Sequence, residues 1–198
     1  MPDSPTPTLD PRTTIVLAMD FQPGIIPRLP EGEQVLAAAS RALQIARAHG
    51  AHVGYVRVGL TPEEFAAMPE HAPMKARLPA DLGPMHADAA ETQVDERIAP
   101  QDGDLVVRKP RVGAFAAPDF EPGLRERGII TLVLTGLSTS GVVLSTLRAA
   151  ADRDYRVIVL ADAVGDFKPD AHRVLLADVF PNQALVTTVD ELDGLFAS

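Results

Sequence analysis

Thr14-Ile15-Val16-Leu17-Ala18-Met19-Asp20-Phe21-Gln22-Pro23-Gly24 is the stretch whose reading decides the fold. Thr14 to Met19 is a continuous apolar run with no alternation of polar and apolar residues. Such a run suits a strand buried on both faces, as in a parallel sheet covered by helices. Asp20 to Gly24 reads as a polar turn. Beyond it Val35, Leu36, Ala39, Ala42, Leu43 and Ala46 recur at helical spacing, and Gly50 stands where a helix C-cap glycine belongs.

The same alternation runs outward to the end of the chain. His52 to Val58 is strand-like, Asp104 to Arg108 is a third short strand, and Pro118 to Arg127 reads as a helix stopped by Gly128. Thr131 to Gly136 is a fourth strand, followed by a helical face of Val142, Val143, Thr146, Leu147, Ala150 and Ala151. Arg156 to Leu160 is the fifth strand, Pro169 to Phe180 a helix, Ala184 to Thr188 the sixth strand, and Asp190 to Phe196 a short closing helix. Strands alternating with helices imply parallel βαβ units with helices on both faces, a three-layer α/β/α, doubly wound arrangement. No fixed-period repeat is visible, which excludes a solenoid.

Two segments stand outside the alternation. Residues 1–12 carry Pro2, Pro5, Pro7 and Pro11 and read as a flexible leader to a domain spanning 13–198. Gly59 to Pro100 holds six prolines together with Met68, Met74 and Met85. An insert of that length in a compact domain is a lid, an interface or a plain surface excursion.

Composition narrows the function classes. A length of 198 residues fits one domain, and 46% hydrophobic with 23% charged residues is ordinary for a globular protein. No run of about 18 apolar residues is present and no basic-then-apolar leader opens the chain, so the expectation is a cytoplasmic protein without a membrane partner. The formal charge is −9, and arginines are scattered singly or beside acids, as in Asp152-Arg153-Asp154. Without a basic stripe, nucleic-acid binding is not expected. The chain has no cysteine, which excludes disulfides, thiolate metal sites and thiol catalysis.

In an open parallel sheet, ligands bind beyond the carboxyl ends of the strands. Three places qualify. Asp20 ends the first strand, where burial would raise its pKa and make it a usable acid or base; alternatively it caps its turn through Asx hydrogen bonds. Lys109 ends the third strand within Arg108-Lys109-Pro110-Arg111. It pairs with Asp20 or belongs to a solvated basic cluster. Thr135-Gly136-Leu137-Ser138-Thr139-Ser140-Gly141-Val142 joins the fourth strand to a helix, either as an oxyanion-binding loop or as an ordinary Ser/Thr N-cap.

Taken together, these places resemble the isochorismatase-like (cysteine) hydrolases. Val16 to Gln22 is similar to that family's apolar strand ending in Asp-x-Gln. Lys109-Pro110-Arg111-Val112-Gly113-Ala114-Phe115 is similar to its Lys-x-x-x-(Ser/Gly)-Ala-Phe. Leu132 to Thr146 is similar to its strand, Gly-x-x-Thr-x-x-Cys-Val and helix, and Val159-Leu160-Ala161-Asp162-Ala163 to its strand and Asp-Ala ending. The likeness runs from about Thr13 to Thr188.

The resemblance implies a six-stranded sheet in the order 3-2-1-4-5-6 and a homo-oligomer, a dimer or tetramer. It implies Asp20 as proton carrier and Lys109 as charge stabiliser. Gln22, Leu137, Ser138, Thr139, Gly141 and Phe115 would surround the substrate or its oxyanion, with a cis peptide between Leu137 and Ser138. The family's nucleophilic cysteine falls on Val142, whose isopropyl group cannot form an acyl-enzyme. Family members that hydrolyse a vinyl ether also work without the cysteine, though with a smaller residue there. One family branch binds a metal through Asp-x-His after the second strand; Val58-Gly59-Leu60 stands there instead, so neither metal nor cofactor is expected.

Two readings follow. One is a hydrolase acting on a small carboxylated metabolite without a thiol, with water as nucleophile. The other is a catalytically idle member that binds a small molecule or serves as an assembly subunit. A site plugged by Val142, Phe21 and Phe115 would favour the second.

Overall fold

The computed structural model describes residues 7–196. Its six strands are β1 (Thr14–Met19), β2 (His52–Val58), β3 (Leu105–Lys109), β4 (Thr131–Leu137), β5 (Arg156–Gly165) and β6 (Leu185–Thr187). They form one parallel sheet in the order β3-β2-β1-β4-β5-β6, as the resemblance implies. β1 lies at its centre and is buried along its whole length, which accounts for the unbroken apolar run.

Side chains alternate across the sheet, and each face has its own core. On one face Val16, Ala18, Val133 and Ile158 meet α1 (Gly32–Ala48) and α6 (Val189–Leu195). On the other, Ile15, Leu17, Met19, Leu132 and Leu134 meet α3 (Phe120–Glu126) and α4 (Leu144–Ala151). α1 turns Val35, Leu36, Ala39, Ala42, Leu43 and Ala46 inward, the stripe its spacing predicts. Each such Val, Leu or Ile contributes about 1.5–3 kcal/mol on burial.

Several boundaries move. β3 begins and ends one residue later than expected, and β5 runs on to Gly165. That extension follows a register shift between Leu134 and Gly136, after which Gly136 pairs with Val164. The helix expected over Pro169–Phe180 is α5 (Pro169–Val174), a π turn Leu175–Val179 and a 3-10 turn Phe180–Asn182. The helix after β4 likewise opens with a π turn, Thr139–Val143.

Residues 1–6 of the expected leader lie outside the described residues, and the described chain is held from Leu9 onward. Leu9 is fully buried, and its N–H donates to the Leu195 carbonyl at 2.8 Å. Asp10 then caps the turn Pro11–Thr13.

The insert 59–100 contributes no strand to the sheet. It holds one short helix, α2 (Pro62–Ala66), and several 3-10 turns. A small apolar cluster of Leu60, Met68 and Leu82 steadies it. Gln22 fastens it to the sheet: its Nε2 donates to the carbonyls of Val58 and Thr92, both at 2.8 Å, and its Oε1 accepts from the Val58 N–H.

Candidate active site

The carboxyl ends of β1, β3 and β4 frame a cleft of about 360 Å3. Asp20 follows β1 with φ of 59°, in the left-handed region that Asp tolerates better than most residues. Its N–H donates to the Val56 carbonyl at 2.8 Å and its carbonyl accepts from Gln22 N–H at 2.9 Å. The backbone therefore bends sharply and delivers the carboxylate to the strand ends.

That carboxylate does not cap its turn. Asp20 Oδ2 accepts from Lys109 Nζ at 2.8 Å, and Nζ also donates to the Arg111 carbonyl at 3.2 Å. Both side chains are buried, Asp20 at 8% and Lys109 at 1% exposure. Removing a charge from water costs several kcal/mol, so each of these ions depends on the other. Asp20 Oδ1 is buried without a hydrogen-bond partner. Burial pushes the Asp20 carboxyl above the usual carboxylate range, and the nearby Lys109 ammonium only partly opposes that shift. A proton or a donating ligand atom would satisfy Oδ1.

The loop after β4 supplies the facing wall. The Leu137–Ser138 peptide is cis. Leu137, Ser138, Gly141 and Val142 line the cleft, with Val142 only 2% exposed. The loop's N–H groups are unevenly committed. Gly141 and Val143 donate to the Ser138 carbonyl, each at 3.2 Å, and Ser140 donates to Asp166 Oδ2 at 2.6 Å.

The structure thus gathers Asp20, Lys109, Leu137, Ser138, Gly141 and Val142 around one space, and sets three other expected residues apart from it. Gln22 is spent on the insert. Thr139 is buried and shares a 2.9 Å hydrogen bond with His172 Nδ1. Phe115 stands edge-on to Phe120, beneath Arg153. Phe21 belongs to the α1-side core. Neither phenylalanine plugs the cleft, and Val142 forms part of its wall.

Sequence reasoning missed the cationic rim. Arg28, Arg77 and Arg111 line the cleft with Ile25, Met74 and Phe167. Among the described residues none of the three arginines has a carboxylate within ion-pair distance, whereas Arg41, Arg97 and Arg108 are all so paired. Arg28 lies over the Phe167 ring at 5.9 Å from its centre. The one available signal was negative: Arg28, Arg77 and Arg111 have no acid beside them in the chain. Arg77 and Met74 come from the insert, which therefore forms part of the cleft wall.

With this geometry in view, comparison with known proteins is informative. The family model described as the isochorismatase domain matches residues 14–191. The isochorismatase family protein YwoC of Bacillus subtilis is 32% identical over 94% of this chain and 95% of its own length. The ureidoacrylate amidohydrolase RutB of Methylobacterium radiotolerans is 31% identical over 90% of this chain and 78% of its own. An isochorismatase family structure from Burkholderia thailandensis superposes with a TM-score of 0.82 at 31% identity, covering 96% of this chain and 98% of that one.

Proposed function

Since the chain belongs to the isochorismatase family, we propose that it is a hydrolase of a small carboxylated metabolite that works by proton transfer and without a covalent intermediate. The observation that carries this reading is the buried Asp20–Lys109 pair, with Asp20 Oδ1 unpartnered and its carboxyl pushed upward. A carboxylic acid whose pKa is raised holds its proton to higher pH, which suits it to act as a general acid. Asp20 protonates the substrate next to the bond to be broken. Water attacks the carbon so made electrophilic and returns one proton to Asp20; the adduct then collapses, the bond to the leaving group breaking as the remaining proton of the water passes to the departing atom. Lys109 stabilises the Asp20 carboxylate during the interval in which it is charged.

Two features support the substrate class. Arg28, Arg77 and Arg111 offer guanidinium groups without partner carboxylates among the described residues, the arrangement that receives a substrate carboxylate. A protein of formal charge −9 gains locally favourable potential for an anion only where such cations cluster. The apolar wall of Ile25, Met74, Val142 and Phe167 suits a compact hydrocarbon body. With Val142 at the nucleophile position, amide hydrolysis through an acyl-enzyme has no attacking atom.

The test is a panel of small carboxylates bearing acid-sensitive bonds, vinyl ethers among them, assayed with wild type and Asp20→Asn. Turnover by wild type should fall by about 100-fold or more in the variant, the size of a lost general acid. Equal rates in the two proteins would remove Asp20 from the chemistry. Binding without turnover across the panel would favour a binding protein.

A further inference from the structure

From the connection between β5 and α5 we infer that Asp166 and His172 are positioning residues, holding the β4 loop in the shape that builds the cleft wall. This inference rests on the reading of residues 138–142 as part of the active site.

The loop needs an outside support. Thr139–Val143 is a π turn, a form rarely stable on its own and found mostly where neighbours impose it. It is gripped at two successive residues from one segment. Asp166 Oδ2 accepts from the Ser140 N–H at 2.6 Å, while its Oδ1 accepts from the Lys168 N–H at 3.0 Å. His172 Nδ1 shares the 2.9 Å hydrogen bond with Thr139 Oγ1, across a separation of 33 residues. A charged acceptor on a backbone N–H is among the stronger hydrogen bonds.

Val142 and Val143 anchor the end of the loop in the core, while the two hydrogen bonds hold its first two residues, Thr139 and Ser140. Behind the gripping segment lies a separate cavity of about 180 Å3, lined by Leu29, Val35, Gly165, Asp166, Pro169 and His172. On that side the segment is backed by open space, so the two polar contacts add a constraint on Thr139 and Ser140 that the packing of Val142 and Val143 does not supply. The same segment places Phe167 on the cleft's rim. One short stretch, 166–172, thereby supports both the wall loop and part of the rim.

The experiment is residue-level hydrogen exchange on the full chain. Asp166→Ala and Thr139→Val should each raise exchange at residues 138–143 by about tenfold, the factor expected from losing one such bond. Strands β1 and β2 should keep wild-type protection. Thr139→Ser retains the hydroxyl and should restore the wild-type pattern. His172→Gln removes the same contact from the helix side and serves where Thr139→Val does not fold. Unchanged exchange in the loop, or an equal rise across the whole sheet, would overturn the inference. Thiol alkylation in Val142→Cys separates the two readings. Ordinary thiol reactivity there counts against the active-site reading, while loop exchange still judges Asp166 and His172.

Discussion

At the scale of single residues, Asp20 governs what can be measured. Its folded-state pKa is raised, so between about 3.9, the unfolded value, and that raised value the native protein keeps a proton that the unfolded chain has released. The native state then binds more protons, and this group's stabilising contribution is full below the unfolded pKa and declines as pH rises through the folded one. Chemical denaturation of wild type and Asp20→Asn should give a stability difference that falls as pH rises above the unfolded value. A flat difference would mean that the Asp20 carboxyl is not perturbed. Val142 gives a second prediction. A cysteine placed there would sit in the first turn of a helical segment, on the wall of a cleft that also holds Lys109 and three arginines. Positive potential lowers a thiol's pKa, so Val142→Cys should react with iodoacetamide faster than glutathione does at pH 7. Asp20, Lys109 and the loop were legible in the sequence because each ends a strand. The arginine rim was not, because a cluster assembled from a turn, an insert and a strand end has no linear pattern. His172 escaped for the same reason, since it reaches Thr139 from another helix, 33 residues away in the chain.

At the scale of elements, β1 and β4 leave no room for a side chain at Gly136. A side chain at Gly136 would put its Cβ 2.8 Å from the Met19 carbonyl oxygen, immediately before Asp20. That contact is with backbone, so the strands would have to part. Gly136→Ala should cost about 2 kcal/mol of stability and displace Asp20 from Lys109, read by denaturant titration and by a changed pH dependence of the kind described for Asp20. The strands themselves were readable from continuous apolar runs, and α1 from its 3.6-residue stripe. Two things were not. A π turn differs from an α turn by one residue of hydrogen-bond reach, which periodicity over a single turn cannot register. The buried role of Leu9 was masked by its proline-rich surroundings, since one apolar residue between prolines shows no repeat.

At the scale of the whole molecule, assembly is the open measurement. Light scattering at micromolar concentration should report a multiple of 21.1 kDa. Phe167 and Val174 are among the exposed large apolar residues, at 47% and 40%, and Val106 is 48% exposed on edge strand β3, the kinds of surface that a second copy covers. A mass of one chain would remove the homo-oligomer. No helix among the described residues is long and apolar enough to cross a membrane. The bridge between Leu9 and Phe196 carries a practical consequence of its own. Phe196 also stacks on His49, just before β2 begins, so both ends of the described chain leave the molecule beside the amino ends of the strands. The cleft opens at the opposite pole. A tether attached beside Leu9 or Phe196 would therefore hold the protein to a solid support with its cleft turned toward the solution.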